Sequence, residues 1–223
     1  KGYYKYKSVT LSNGVSYPFT QWKLLIKDNF ESSFFISRLM KNCKENIYKD
    51  YLSESNDGTS LRNENQLRPN AIYAILSSPT LFTKSNVLKY IDNIERYLLS
   101  SSPSTMSLRT LDKDDSDYKG YFNRDDNGEY LTACGFNVHN GIEFVWLYAY
   151  YLLLKIEYTE WKSKDECRRF VAMKLLPMMK YTSRWYGLPE MMNEKGHVIG
   201  EGCQTHLMAV AGVYEVIEKI ATM

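Results

Sequence analysis

Carboxylates, amides and aromatic rings are concentrated in two stretches of this 223-residue chain. The first is Arg109-Thr110-Leu111-Asp112-Lys113-Asp114-Asp115-Ser116-Asp117-Tyr118-Lys119-Gly120-Tyr121. The second is Gly135-Phe136-Asn137-Val138-His139-Asn140-Gly141-Ile142-Glu143-Phe144. This mixture suits a neutral, hydroxyl-rich ligand. Carboxylates and amides hydrogen-bond hydroxyls, and flat rings cover the apolar faces between them. Glu190 is a third candidate, in Trp185-Tyr186-Gly187-Leu188-Pro189-Glu190. Pro189 restrains the chain beside it. A carboxylate held rigid and partly desolvated meets the demands on a general base. Each candidate also has an ordinary reading. Glu190 can be a solvated glutamate at a helix end. Glu143 can be a first-turn acid favoured by the helix dipole, and His139 a helix cap or a satisfied core histidine. The Asp-rich block can be a solvated loop whose side chains close local turns. Its four aspartates lack the spacing and closing glutamate of a calcium loop.

The elements that must position these groups read as helices. Pro18 opens a helix with Trp22, Leu25, Ile26, Phe30, Phe34 and Phe35 at helical spacing. Ser12-Asn13-Gly14 marks a turn before it, and residues 53–66 read as a polar surface loop. In Gln66-Leu67-Arg68-Pro69-Asn70, proline begins a short helix from Asn70 to Leu76, with Asn70 at its entry. Arg68 is placed to aim a guanidinium at the loop acids. Thr83 or Ser85 caps a helix whose stripe is Val87, Leu88, Ile91, Ile94 and Leu98. Residues 109–135 have no sustained period and read as a long loop, and loops of that length are mostly functional or disordered. Its aromatics, Tyr118, Tyr121, Phe122 and Tyr130, argue against disorder. Residues 141–158 are apolar on nearly all sides and predict a buried helix. Another helix runs from Lys164 to Tyr181, kinked near Pro177. After a loop over 187–202, a last helix runs from Cys203 to Ile220, with an expected inner stripe of Leu207, Val210, Ala211, Tyr214, Ile217 and Ile220. The result is an all-α reading of about six helices without strand pairs.

Composition narrows the function classes. With 28 basic and 26 acidic residues the net charge is +2, which gives no reason to expect a polyanion. A nucleic-acid reading would need a basic stripe, and only Lys1 to Lys7 supplies one. No apolar run is long enough for a membrane span. Cys43, Cys134, Cys167 and Cys203 show no metal or redox spacing and read as reduced thiols of a cytoplasmic protein. There is no nucleophile elbow, phosphate loop, dinucleotide fingerprint or zinc motif, and no cofactor is expected. A start at Lys1 rather than Met reads as a piece of a longer protein.

The blocks Gln66–Asn70, Arg109–Tyr121, His139–Phe144 and Gly187–Glu190 occur in an order and approximate spacing that resemble the C-terminal glucosidase domain of eukaryotic glycogen debranching enzymes. The resemblance runs from about Tyr17 to the C-terminus, with gaps at 41–60 and 158–184. It departs from the family's usual His-Gln-Gly-Pro-Glu-Trp at Asn140, Ile142 and Phe144. It departs again where His206, Leu207 and Met208 replace Gln-Ala-Trp at the last helix.

The resemblance implies that residues 1–223 are one partial domain, the C-terminal part of an (α/α)6 toroid. It implies hydrolysis of α-1,6-linked glucose at trimmed branch points of glycogen or limit dextrin, by an inverting two-carboxylate mechanism. Glu190 matches the family's base. The acid is an aspartate upstream of this chain, so the chain alone is expected to be inactive. His139, Glu143, Asp112, Tyr121, Arg68, Asn70, Trp185 and Tyr186 are the expected substrate-lining residues. The expected partners are the upstream half of the toroid and a transferase domain. A half toroid would expose apolar helix faces and self-associate. Two alternatives stay open: a related toroid glycosidase acting on another α-glucoside, and a non-catalytic glucan-binding or scaffold protein.

Overall fold

The computed structural model describes residues 7–37, 44–52, 64–100, 102, 105–122, 138–199 and 202–223. Among these the chain is mostly helical, with six α-helices: α1 (Phe19–Phe34), α2 (Ala71–Ser77), α3 (Lys84–Asn93), α4 (Val145–Tyr158), α5 (Lys164–Trp185) and α6 (Leu207–Ala221). Cys43, Cys134, Tyr130 and most of the polar stretch 53–66 lie outside the described residues.

Helix α4 is the centre. Val145, Leu147, Tyr148, Ala149, Tyr151, Leu152, Leu153, Leu154, Ile156 and Tyr158 are all buried, so the helix meets protein on almost every side. This is what an apolar stretch without a polar face must do. Helix α3 lays Val87, Tyr90 and Ile91 into the same core. A π turn over Ile94–Leu98 continues it and buries Ile94 and Leu98. Four of the five predicted stripe residues are therefore inside, and Leu88 is half-buried. Helix α5 begins at Ser163, whose hydroxyl accepts from the Glu166 backbone N–H at 3.1 Å, an ordinary N-cap. It continues through Pro177 to Trp185, four residues past the expected end.

Helix α6 corrects the sequence reading. Its buried residues are Ala209, Gly212 and Val216, whereas Leu207, Val210, Tyr214 and Ile217 of the expected inner stripe are exposed. The reason is close packing on α4. A Cβ at Gly212 would lie 2.9 Å from the Cβ of Ala149, so the small residues of α6 mark its contact face. The large apolar face points out. So do Trp22, Leu24, Leu25 and Ile26 of α1 and Met173, Leu176 and Met179 of α5.

The expectation of no strand pairs is also corrected. Short strands β1 (Ser8–Thr10) and β2 (Ser16–Pro18) form a hairpin around Gly14, and β3 (Phe35–Ile36) pairs with β4 (Ile47–Tyr48). More important for the site is an antiparallel sheet in the order β5 (Leu108–Arg109), β6 (Glu143–Phe144), β7 (Met191–Asn193), β8 (His197–Val198). These strands are two or three residues long. Their partners are distant in sequence, so tertiary pairing rather than local period creates them. Glu143 and Phe144 join the sheet and Gly141 bridges to Lys119 instead of starting α4, and part of the expected 187–202 loop is β7 and β8.

Candidate active site

The four-stranded sheet gathers three of the sequence blocks at one end of the core. Helices α4 and α6 begin at this end and α5 finishes there. Across β6 and β7, Glu143 faces Met192 and Phe144 faces Met191. This sets Glu190, the residue before β7, beside the start of α4. The Val145 N–H donates to the Glu190 carbonyl at 3.0 Å, and the Glu190 N–H donates to the Cys203 carbonyl at 2.9 Å. A third bond, from the His206 N–H to the Leu188 carbonyl at 2.7 Å, joins the same two segments. Gly187 makes this approach possible, since a Cβ there would lie 2.2 Å from Thr205 Cγ2. The backbone of Glu190 is thus fixed on both sides, while its side chain remains 31% exposed. His206 faces this carboxylate, with Nε2 3.8 Å from Glu190 Oε1.

His139 is exposed at the same end, and its ring stacks on Phe144 with centroids 5.6 Å apart. Its turn is held from below by Arg68. The guanidinium donates to the His139 carbonyl (2.6 Å), Asn140 Oδ1 (2.8 Å) and Gln66 Oε1 (2.7 Å). The amide of Gln66 in turn reaches Asp117 Oδ2 at 3.1 Å. Arg68 therefore meets the acidic loop through Gln66 and through backbone carbonyls. Burial works against its cation and draws its pKa down, with Asp50, Asp115 and Asp117 opposing.

Glu143 lies deeper. It has no exposed surface, accepts from the Ser107 hydroxyl, and sits 3.6 Å from Arg109 Nε. Burial pushes its carboxyl above the usual range, against the pull of Ser107 and Arg109. Its oxygens face protein and hold β5 to β6. Asp112 is also buried. One oxygen caps its own turn by accepting from the Asp114 N–H at 3.0 Å, and the other pairs with Lys44 at 3.2 Å. This closed turn is the ordinary aspartate chemistry of the block. Asn70 donates to Asp50 at 2.6 Å, at the entry of α2.

Three aromatic candidates are open to solvent. Trp185 is 52% exposed, Tyr186 92% and Tyr121 63%. Trp185 ends α5 and Tyr186 follows it in the left-handed region at φ 59°, so both lead directly into the Glu190 turn. Tyr121 is anchored beside the β7–β8 turn. The N–H of Phe122 donates to Asn193 Oδ1 at 2.7 Å, and the N–H of Glu194 donates to the Gly120 carbonyl at 3.0 Å. Glu190, His139, Trp185, Tyr186 and Tyr121 therefore have solvent access in the loop layer, while Glu143, Asp112 and Arg68 brace it. His206 is the residue that sequence reasoning did not place in the site. Fifteen residues of intervening chain hid its approach to Glu190, although its departure from the family pattern marked the position.

A cleft of about 650 Å³ lies elsewhere. It is lined by Tyr73, Tyr150, Glu157, Glu215 and Lys219 among others, toward the opposite ends of α4 and α6.

Comparison with known proteins matches the chain to a family. The family model described as amylo-alpha-1,6-glucosidase covers residues 5–215. The chain belongs to this family. A glycogen debranching enzyme of Saccharomyces cerevisiae is 27% identical over an alignment of 239 positions. That alignment takes in 95% of this chain and 15% of the yeast protein. The chain therefore spans about 15% of the length of this relative. Among the described residues no helix is long and apolar enough to cross a membrane.

Proposed function

We propose that this chain supplies the general base of an α-1,6-glucosidase acting on trimmed branch points of glycogen or limit dextrin. The observation that carries the reading is the setting of Glu190. Its backbone is pinned by β6–α4 on one side and by the 203–206 segment on the other, and its carboxylate stays open to solvent. A base must be immobile and still reach a water molecule. Membership of the amylo-alpha-1,6-glucosidase family supplies the substrate class.

In this mechanism Glu190 removes a proton from water as the water attacks the anomeric carbon. An acid about 6.5–9.5 Å away protonates the leaving oxygen from the other side, and the anomeric centre inverts. That acid comes from a preceding part of a longer protein. The same part, the first half of an (α/α)6 toroid, covers the apolar faces of α1, α5 and α6. A transferase domain trims the branch beforehand. His139 and the exposed rings of Tyr186, Trp185 and Tyr121 offer donors and flat faces to glucosyl units. Arg68, Asn70, Asp112 and Glu143 keep the loops that present them in place.

The stereochemistry tests this. The full-length protein is mixed with a glucosyl-branched limit dextrin, and product is followed by proton NMR before mutarotation. The expected first product is β-glucose. α-Glucose as the first product would contradict an inverting base at Glu190.

A further inference from the structure

The Glu190 carboxylate is approached by His206, and the surroundings of the imidazole bear on how it acts. The ring is tied to the Glu190 segment by its own backbone, through the 2.7 Å bond from the His206 N–H to the Leu188 carbonyl. The side chain is 20% exposed, and its Nε2 lies 3.8 Å from Glu190 Oε1. Its other nitrogen, Nδ1, is buried without a hydrogen-bond partner. A buried N–H donor with no acceptor is costly, more so when it carries part of a positive charge. The ring proton therefore belongs on Nε2, facing the carboxylate.

We propose that His206 is a positioning residue for Glu190, donating a neutral Nε2–H hydrogen bond that fixes the carboxylate's rotamer while leaving it a base. This rests on the reading of Glu190 as the general base. At 3.8 Å the two groups face each other beyond hydrogen-bond length, and the shortening belongs to the substrate complex. Catalytic hydrogen bonds are commonly long in the free enzyme and tighten when substrate binds. One carboxylate oxygen is then occupied by His206, and the second is left to receive the proton from water. An imidazolium would do the opposite. It would bury a charged Nδ1–H and draw charge from the carboxylate that must accept the proton.

The test uses the full-length protein and limit dextrin, with His206→Leu, His206→Gln and Glu190→Gln measured in parallel. Leucine removes the donor, whereas glutamine replaces it with an amide N–H. The expected result for His206→Leu is a fall in kcat of about tenfold or more with KM little changed, because the hydrogen bond to a charged group serves the chemical step. His206→Gln is expected to return kcat to within about threefold of the parent, since a neutral donor suffices. A purely structural role would move unfolding temperature and leave this Leu–Gln difference absent. Activities are compared on chains with native unfolding transitions, and His206→Ala takes the place of leucine if that variant does not fold. Unchanged kcat in His206→Leu overturns the proposal, as does a glutamine variant as slow as the leucine one. If either occurs while Glu190→Gln is inactive, His206 is misassigned and the base is not. An active Glu190→Gln overturns the base itself.

Discussion

Replacing Gly141 with alanine should cripple the loop layer while leaving the helical core sequence untouched. Gly141 has φ +147°, and a Cβ there would lie 2.6 Å from the carbonyl oxygen of Lys119 and 2.7 Å from its carbon. Both are backbone atoms, so no side-chain rotation relieves the clash. The residue is also held in register. Its N–H donates to Thr110 Oγ1 at 2.9 Å, and the Thr110 hydroxyl bonds the Ile142 carbonyl at 3.0 Å. Backbone strain at such a φ costs about 1–3 kcal/mol, and overpacking that forces a backbone shift costs about 1–3 kcal/mol more. The sum is about 4 kcal/mol. For a domain of this size each kcal/mol lowers Tm by about 2–4 °C, so Gly141→Ala should lose about 8–16 °C by calorimetry. Gly14→Ala is the control. Gly14 also has positive φ, +81°, but a Cβ there meets nothing within 4 Å. Its cost is the left-handed preference alone, about 1–2 kcal/mol. Equal Tm losses for the two variants would refute the argument that backbone contact at Lys119 sets the His139–Glu143 turn.

Other consequences can be checked directly. Arg68→Met should lower urea-measured stability by about 3 kcal/mol, because three acceptors lose a common donor; lysine should not restore it, lacking the planar fork. Glu143→Gln tests the raised carboxyl pKa. A native pKa above the unfolded value means that Glu143 favours the folded state most at pH below the ordinary glutamate range and loses this contribution as pH rises through the native pKa. The Tm of Glu143→Gln minus that of the parent should therefore increase as pH goes from about 4 to about 7; a difference that falls over this range would contradict the burial argument. The chain on its own should self-associate through its open apolar faces. Leu176→Lys with Met179→Lys, both on the exposed side of α5, should reduce that association in sedimentation velocity.

The helices were legible because each carries its own period. The α3 stripe and the all-round apolar α4 needed only local pattern, Pro18 marked the start of α1 within a residue, and of Thr83 and Ser85 the structure puts Thr83 at the start of α3. The face of α6 was misread because Leu207, Val210, Tyr214 and Ile217 are the larger residues. Packing against Ala149 instead selected the small ones, with Gly212 at the contact. The sheet was illegible for a different reason. Two-residue strands such as Glu143–Phe144 have no period, and β6 exists because β5 and β7 arrive beside it from 34 residues upstream and 47 downstream. The same holds for the site. Glu190 stood out through Gly187 and Pro189, whereas its pairing with His206 depends on two backbone bonds that join separate segments. Glu143 and Asp112 were picked as carboxylates, and the structure gives their oxygens to Ser107, Arg109, Lys44 and a turn N–H, demands that no local pattern records.

The central claim is that Glu190 is the base of an α-1,6-glucosidase. The direct measurement is glucose release from glucosyl-branched limit dextrin by the full-length protein, wild type against Glu190→Gln. Glutamine keeps the shape and the backbone bonds and removes only the basicity. The account predicts steady release by the wild type and a loss of about 100-fold or more in kcat for the variant, the scale of a general base. Wild-type release that persists undiminished in Glu190→Gln would contradict it.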